Sequence, residues 1–497
     1  MLLGFRFTLP GSEDQSMRAR RPLPLLFLMA AFPAHAAPAT SDGAKAIEQD
    51  YVAYFGKAVV DKGILTVTPN GEGYVVSWDL QKALDLVPTK ASLQIDPLVY
   101  TLTPHDDGAW TTKADHLPSL VFGLTTDKNR LNGALDLTGF HLEAVSDSAQ
   151  KDFLRSNGAA DAVSAKFRIL DPTQHVEAEF VESGVSTQIR ARTSESGVDV
   201  AVAHSAARVT ETVASTPTDP QGPPIKVAYE VGGIADELAV SGLRAREIAD
   251  LWKYVVVHLQ DDGAPPDLTQ RVRAALPLWN DFHAHAEMHD LALQTDALEA
   301  RLKTLGETLA LTGLADEAGA AFGLSIEDLA FKSALLPSWA AQLSPVSLNL
   351  NLRAADHGLD KVAELVLDDP NFGSKGELTP ETQDKIGEAV LAGEPKLVLA
   401  PGRLTAPIID LAFEGEAGIE SGAPTGHFTV SADGLDKTMA LLQEVAKSEP
   451  DAQSVVLGVA FVKGLATTGP DGRLMWKVDV SSAGEVSVNG TALPMGK

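Results

Sequence analysis

The stretch Val346-Ser347-Leu348-Asn349-Leu350-Asn351-Leu352-Arg353 decides the fold class. Apolar and polar residues alternate along it, and a strand sends successive side chains to opposite faces, so it reads as a strand with one apolar and one wet face. It leads into Gly358-Leu359-Asp360-Lys361 and then a helical pattern through Val362, Leu365 and Val366. The same order recurs at Phe428, Val430 and Ala432, followed by Gly434-Leu435-Asp436-Lys437 and by Met439, Leu442 and Val445. Weaker copies run from Leu238 through Gly242-Leu243-Arg244-Ala245 and from Tyr74 through Asp79-Leu80-Gln81-Lys82. Each word has a local logic: glycine permits a sharp exit from the strand, leucine buries at the corner, and aspartate can cap the helix start. The expectation for residues 344–497 is an α+β region of repeated strand-helix units, closed by strands at Leu404 to Phe413, Leu474 to Val480 and Glu485 to Val488.

Upstream, residues 45–243 read as a β-rich region of antiparallel sheet. Ile64 to Thr68 and Tyr74 to Trp78 flank the turn Pro69-Asn70-Gly71-Glu72-Gly73, which is a hairpin signature. Further β-branched runs, bounded by turn residues, are Ser92 to Leu102, Gly133 to Ala144, Ser164 to Leu170, His175 to Val181, Thr187 to Thr193, Val198 to Ala203 and Ile225 to Glu230.

Between them, residues 244–343 read as a central helical insertion. Ile248, Leu251, Trp252, Val255, Val256 and Leu259 share a helical face, Asp261 to Asp267 breaks that helix, and Leu291, Leu298, Leu302, Leu305 and Leu309 suggest a second stripe. On such a helix His285 and His289 would sit one turn apart, with His283 nearby. Glu287 is misplaced for the zincin pattern and no third ligand follows by spacing, so the histidines read as a solvated polar face and no metal ligand is assigned.

Residues 1–36 read as a signal peptide whose true start is Met17. Arg18, Arg20 and Arg21 form the basic n-region, Leu23 to Phe32 the apolar core, and Ala34-His35-Ala36 the small-x-small cleavage site. The wider apolar run, Pro22 to Ala34, holds three prolines and falls short of the roughly 20 residues of a spanning helix. No later segment reads as a membrane span. The chain has no cysteine, which excludes disulfides, thiol catalysis and cysteine metal sites, and suits a Gram-negative periplasm. Its net charge of −27 repels nucleic acid and anionic headgroups at long range.

Searches for a nucleophile elbow, a Walker loop and a dinucleotide fingerprint find nothing. The carboxylate pairs Asp106-Asp107, Asp261-Asp262 and Asp368-Asp369 all lie in turn-like contexts, and the tryptophans are scattered in the manner of core residues. No catalytic, cofactor or metal residue is therefore assigned.

The leader, the strand-Gly-Leu-Asp-Lys-helix units at Gly358 and Gly434, and the closing Asp471-Gly472-Arg473-Leu474 to Val488-Asn489-Gly490 element resemble an exported alphaproteobacterial family of unknown function. More loosely, the chain is similar to the AsmA-type β-rich envelope proteins. The first resemblance implies a periplasmic location and no established activity; the second implies lipid handling at the envelope, although this chain lacks a retained anchor. The expectation is a non-enzymatic periplasmic protein that binds a lipid, another hydrophobic ligand or an envelope partner in a groove between sheet and helix. A hydrolase with dispersed residues, drawing on His283, His285 or His289, and a purely structural interaction protein are the alternatives.

Overall fold

The computed structural model describes residues 39–85, 91–125, 129–147, 149–219, 222–258, 267–314, 317–333, 339–373, 377–420, 422–449 and 452–493. The leader reading and the helix break at Asp261 to Pro266 lie outside them. The first helix, α1 (Ser41–Phe55), starts where the Thr40 side chain accepts the Gly43 N–H at 3.0 Å. After α2 (Ala58–Asp61), β1 (Leu65–Asn70) and β2 (Gly73–Trp78) form the expected hairpin, with Asn70 opposite Gly73. Asp79 then caps α3 (Leu80–Leu84) by accepting the Lys82 N–H at 3.0 Å. Six short strands follow: β3 (Ala91–Ile95), β4 (Leu98–Pro104), β5 (Trp110–Ala114), β6 (Leu120–Thr125), β7 (Arg130–Thr138) and β8 (His141–Ser146). α1 lays Ile47 and Tyr51 against Val76, Trp78, Tyr100 and Leu102, which makes the largest buried cluster of the chain's described residues.

The middle of the sheet is two strands deep along its length. β9 (Leu154–Leu170) meets β8 with its first half and β7 with its second. On its far side lies β10 (Gln174–Ser194), whose two halves pair in turn with β12 (Arg208–Pro217) and β11 (Gly197–Ala206). These continue through β13 (Ile225–Val231) and β14 (Gly233–Leu243). After α4 (Ala245–Val257) and α5 (Leu268–Ala275), the next long strand, β15 (Asp281–Thr295), pairs with both β14 and β13 and then with β16 (Leu298–Thr312).

Each of two long strands bends where its neighbour changes. Gly184 (φ 62°) sits between the β12 and β11 pairings of β10, and Asp290 (φ 51°) between the β14 and β13 pairings of β15. A left-handed residue there shifts the alternation by one, so Met288 and Leu291, three apart, reach the same cluster around Val209, Val231, Ile234 and Leu305.

This corrects the expected helical insertion. Within 244–343 only α4 and α5 are α-helical among the described residues, while the Leu291 to Leu309 stripe lies on β15 and β16. Four of its five leucines, Leu298, Leu302, Leu305 and Leu309, lie on β16, and the apparent helical spacing arises where β16 exchanges β18 for β17, so that Leu302 and Leu305, three apart, reach one cluster opposite Leu291 and Met288.

The remaining strands form a meander: β17 (Glu317–Glu327), β18 (Ala330–Ser333), β19 (Ser347–His357), β20 (Lys396–Thr405), β21 (Asp410–Glu420), β22 (Ala423–Asp433), β23 (Thr467–Thr468), β24 (Leu474–Val480), β25 (Val486–Val488) and β26 (Thr491–Ala492). Every pairing among the described residues is antiparallel and joins one 26-stranded sheet. Pro401 falls in a bulge of β20, where its missing N–H costs no ladder bond. Helix pairs bridge neighbouring strands: α4 and α5 between β14 and β15, α6 (Leu359–Leu367) and α7 (Pro380–Ala392) between β19 and β20, and α8 (Leu435–Val445) and α9 (Ala452–Gly464) between β22 and β24. No described helix is long and apolar enough to cross a membrane.

At Gly358 (φ 92°) and Gly434 (φ 84°) the glycine itself is the N-cap, in the left-handed region. Asp360 and Asp436 therefore fall in the first turn and make no cap bond, contrary to expectation; their charge still favours the positive helix start.

Candidate apolar cleft

The register explains a hollow in the sheet. One row crosses five strands as Leu311, Ala320, Ala354, Leu397 and Ala417, each directly paired with the next. Two neighbouring alanines between two leucines leave the floor low where the walls are high. Leu359, the first residue of α6, stands at one side and Leu278 with Trp279 at another, enclosing a cleft of about 710 Å³. That lies within the range of about 300–1,000 Å³ usual for small-molecule sites.

The wall is held by close backbone approach. Gly313 donates its N–H to the Asn280 carbonyl at 2.8 Å, and a Cβ on Gly313 would stand 1.9 Å from the Trp279 carbonyl oxygen, so only glycine lets the turn reach this wall. Arg273 of α5 binds Glu364 of α6 and Asp368 at its C-cap, each at 2.8 Å, tying the two helix pairs together beside the cleft. Asp369 joins α6 to α7: it accepts the Thr379 N–H at 2.9 Å, the Thr379 hydroxyl at 2.7 Å and the Asn371 N–H at 2.8 Å. Burial pushes its pKa up, but hydrogen bonds from Thr382, Thr379 and Asn371 outweigh that and hold it at about 2. The Asp368-Asp369 pair is thus structural.

The few polar groups on the cleft are already engaged or closed off. The Thr312 hydroxyl accepts the Gly319 N–H at 2.7 Å, and Lys396 pairs with Glu416 at 2.6 Å. The Trp279 indole N–H is enclosed without an acceptor among the described residues. Such a lining can exclude water from an apolar guest; it gathers no base, acid or nucleophile around a reacting atom.

The histidines lie elsewhere. On β15, His283, His285, Glu287 and His289 alternate onto one exposed face, with Glu287 3.5 Å from His285 and 3.2 Å from His289. They do not share a helix turn, which corrects the spacing argument. Phe282, paired with Leu311 of the cleft row, points to the opposite face. Among the described residues no group of three His, Asp or Glu side chains is placed to hold a metal ion.

Sequence reading missed one hydroxyl–imidazole–carboxylate chain. Thr187 Oγ1 is 3.1 Å from His204 Nδ1, and His204 Nε2 is 3.0 Å from Glu182. Thr187 and His204 are direct cross-strand partners inside a ladder paired on both sides, so their backbone amides are committed to the sheet and offer no oxyanion hole. The cleft was missed as well. Its only trace in the sequence is the small-residue runs Ala318-Gly319-Ala320, Ala354-Ala355 and Ala417-Gly418 at strand ends. Comparison of the chain with family models, curated proteins and solved structures finds no match.

Proposed function

We propose that this chain is an exported, non-enzymatic periplasmic protein that shelters an acyl chain or similar apolar molecule in the cleft beside α6. The observation that carries the reading is the hollow over Ala320 and Ala354, apolar on its floor and walls and large enough for a small ligand. The leader at Met17 to Ala36 supplies the location. We read the strand-to-helix junctions after β2, β14, β19 and β22 as copies of one unit, and the β19 copy as the one that places Leu359 over the cleft.

The test is native mass spectrometry and lipid extraction of periplasmically expressed protein, beside an Ala354→Phe variant that fills the floor. Wild type is expected to carry lipid or to take up a fluorescent fatty acid, and the variant to lose it with unchanged circular dichroism. Wild type that emerges repeatedly empty and takes up no probe overturns the reading.

A further inference from the structure

Among the described residues, the helix with the most exposed large apolar side chains lies away from the cleft: α9, Ala-Gln-Ser-Val-Val-Leu-Gly-Val-Ala-Phe-Val-Lys-Gly. Val455, Leu457, Phe461 and Val462 are 50, 65, 62 and 47% exposed, although an amphipathic helix normally turns such residues inward. At 100° per residue these four and Gly458 fall on one contiguous face. Val456, Val459 and Lys463, less exposed, fall on the other. Val459 packs into the cluster around Trp476, whose indole N–H donates to the Val462 carbonyl at 2.7 Å. A Cβ on Gly458 would meet nothing within 4 Å. The helix is thus docked by its underside and its outer face is open. Lys463, the one charged residue in α9, is paired with Asp436 of α8.

We infer that α9 is a membrane-contact helix, which seats Leu457 and Phe461 in the interface of a lipid surface whose headgroups carry no net negative charge. Charge and area choose this occupant. The outer face holds no charged side chain, while the chain as a whole carries −27, so an anionic surface is repelled. A helix of 13 residues is roughly 20 Å long and about 10 Å wide. Two copies meeting face to face would then bury on the order of 400 Å², far below the ~1,200 Å² of a stable interface. Seated shallowly, Val455, Leu457, Phe461 and Val462 would bury their exposed apolar area in the interface, and affinity follows that area. This inference does not depend on the cleft being occupied.

The experiment is flotation of the full chain with phosphatidylcholine vesicles and with vesicles in which a third of the lipid is phosphatidylglycerol. Wild type is expected to float with the first and severalfold less with the second at low salt. Leu457→Ser/Phe461→Ser should lose flotation by tenfold or more, and Leu457→Met/Phe461→Leu should retain it, with circular dichroism unchanged in both because the four positions are exposed. Absence of wild-type flotation with either vesicle, or flotation unaffected by the double serine variant, overturns the inference. So does a concentration-dependent dimer abolished by that variant, which would make a second copy the occupant.

Discussion

Arg273, in the last turn of α5, and Glu364, in the middle of α6, meet at 2.8 Å and join two helix pairs that are inserted at different points of the sheet. The contact is exposed on both sides, so its weight in global stability is small. Its effect is local, on the seating of α6, whose first residue Leu359 lines the cleft. Arg273→Gln is expected to shift the melting temperature by a few degrees at most while speeding release of a bound fluorescent fatty acid severalfold. Stopped-flow displacement beside a thermal melt checks both.

The two glycine N-caps have nearly the same φ but different surroundings. A Cβ on Gly434 would stand 1.9 Å from the Ile408 carbonyl oxygen, whereas at Gly358 the nearest atom is the flexible Lys361 side chain at 3.6 Å. Gly358→Ala should therefore cost only the left-handed strain, about 1–2 kcal/mol. Gly434→Ala must also displace backbone and should cost roughly 3 kcal/mol or more. Urea titration of the two variants, read by Trp fluorescence, gives the comparison; equal losses would mean the steric term is absent.

Tyr100 is the common partner in the core under α1. Its hydroxyl lies 2.6 Å from that of Tyr51 and 3.4 Å from the Trp78 indole nitrogen, and burial above all holds the Tyr51 phenol protonated well beyond its ordinary range. Tyr100→Phe leaves two buried polar groups without this partner and should cost about 2–4 kcal/mol, against about 1–2 kcal/mol for Tyr51→Phe. Denaturant midpoints of the two variants decide whether Tyr100 is the hub.

Asp369 gives a pH signature. Its folded pKa of about 2 lies below the value of roughly 3.9 for an unfolded aspartate. Its contribution is therefore complete above about pH 4 and drains away as pH falls towards 2. Stability measured by urea titration in this window should fall less steeply for Asp369→Asn than for wild type, and the variant should be the weaker protein at pH 7.

The strand at Val346 to Arg353 was legible because its leucines share one half-buried face and Asn349 and Arg353 are exposed on the other, so the alternation is written directly in the residues. The strand at Leu474 to Val480 was legible for the same reason, with a Pro-Asp-Gly turn marking where it starts. The Leu291 to Leu309 stripe misled because period is a property of a whole strand only while its neighbours stay the same. Where β16 trades β18 for β17, between Leu302 and Leu305, those two leucines reach one cluster from positions three apart, and a strand imitates a helix. The cleft row was hidden for a simpler reason: Leu311, Ala320, Ala354, Leu397 and Ala417 become neighbours only through register, which no local window contains. Gly358 and Gly434 were readable as exits, but the glycine took the cap position that the following aspartate was expected to fill.

The meander also bears on how the chain can fail. From β19 onward most strands lie beside their predecessor in sequence, and β24 covers β22 along seven residue pairs. The contacts from β20 to β22 are local and can grow hairpin by hairpin, whereas β24 reaches β22 only across the inserted pair α8 and α9. The same design makes its terminus a shield: losing the segment after α9 would bare the backbone of β22 as a long open edge. The hazard of truncation is then association between copies through that edge rather than collapse of the sheet behind it.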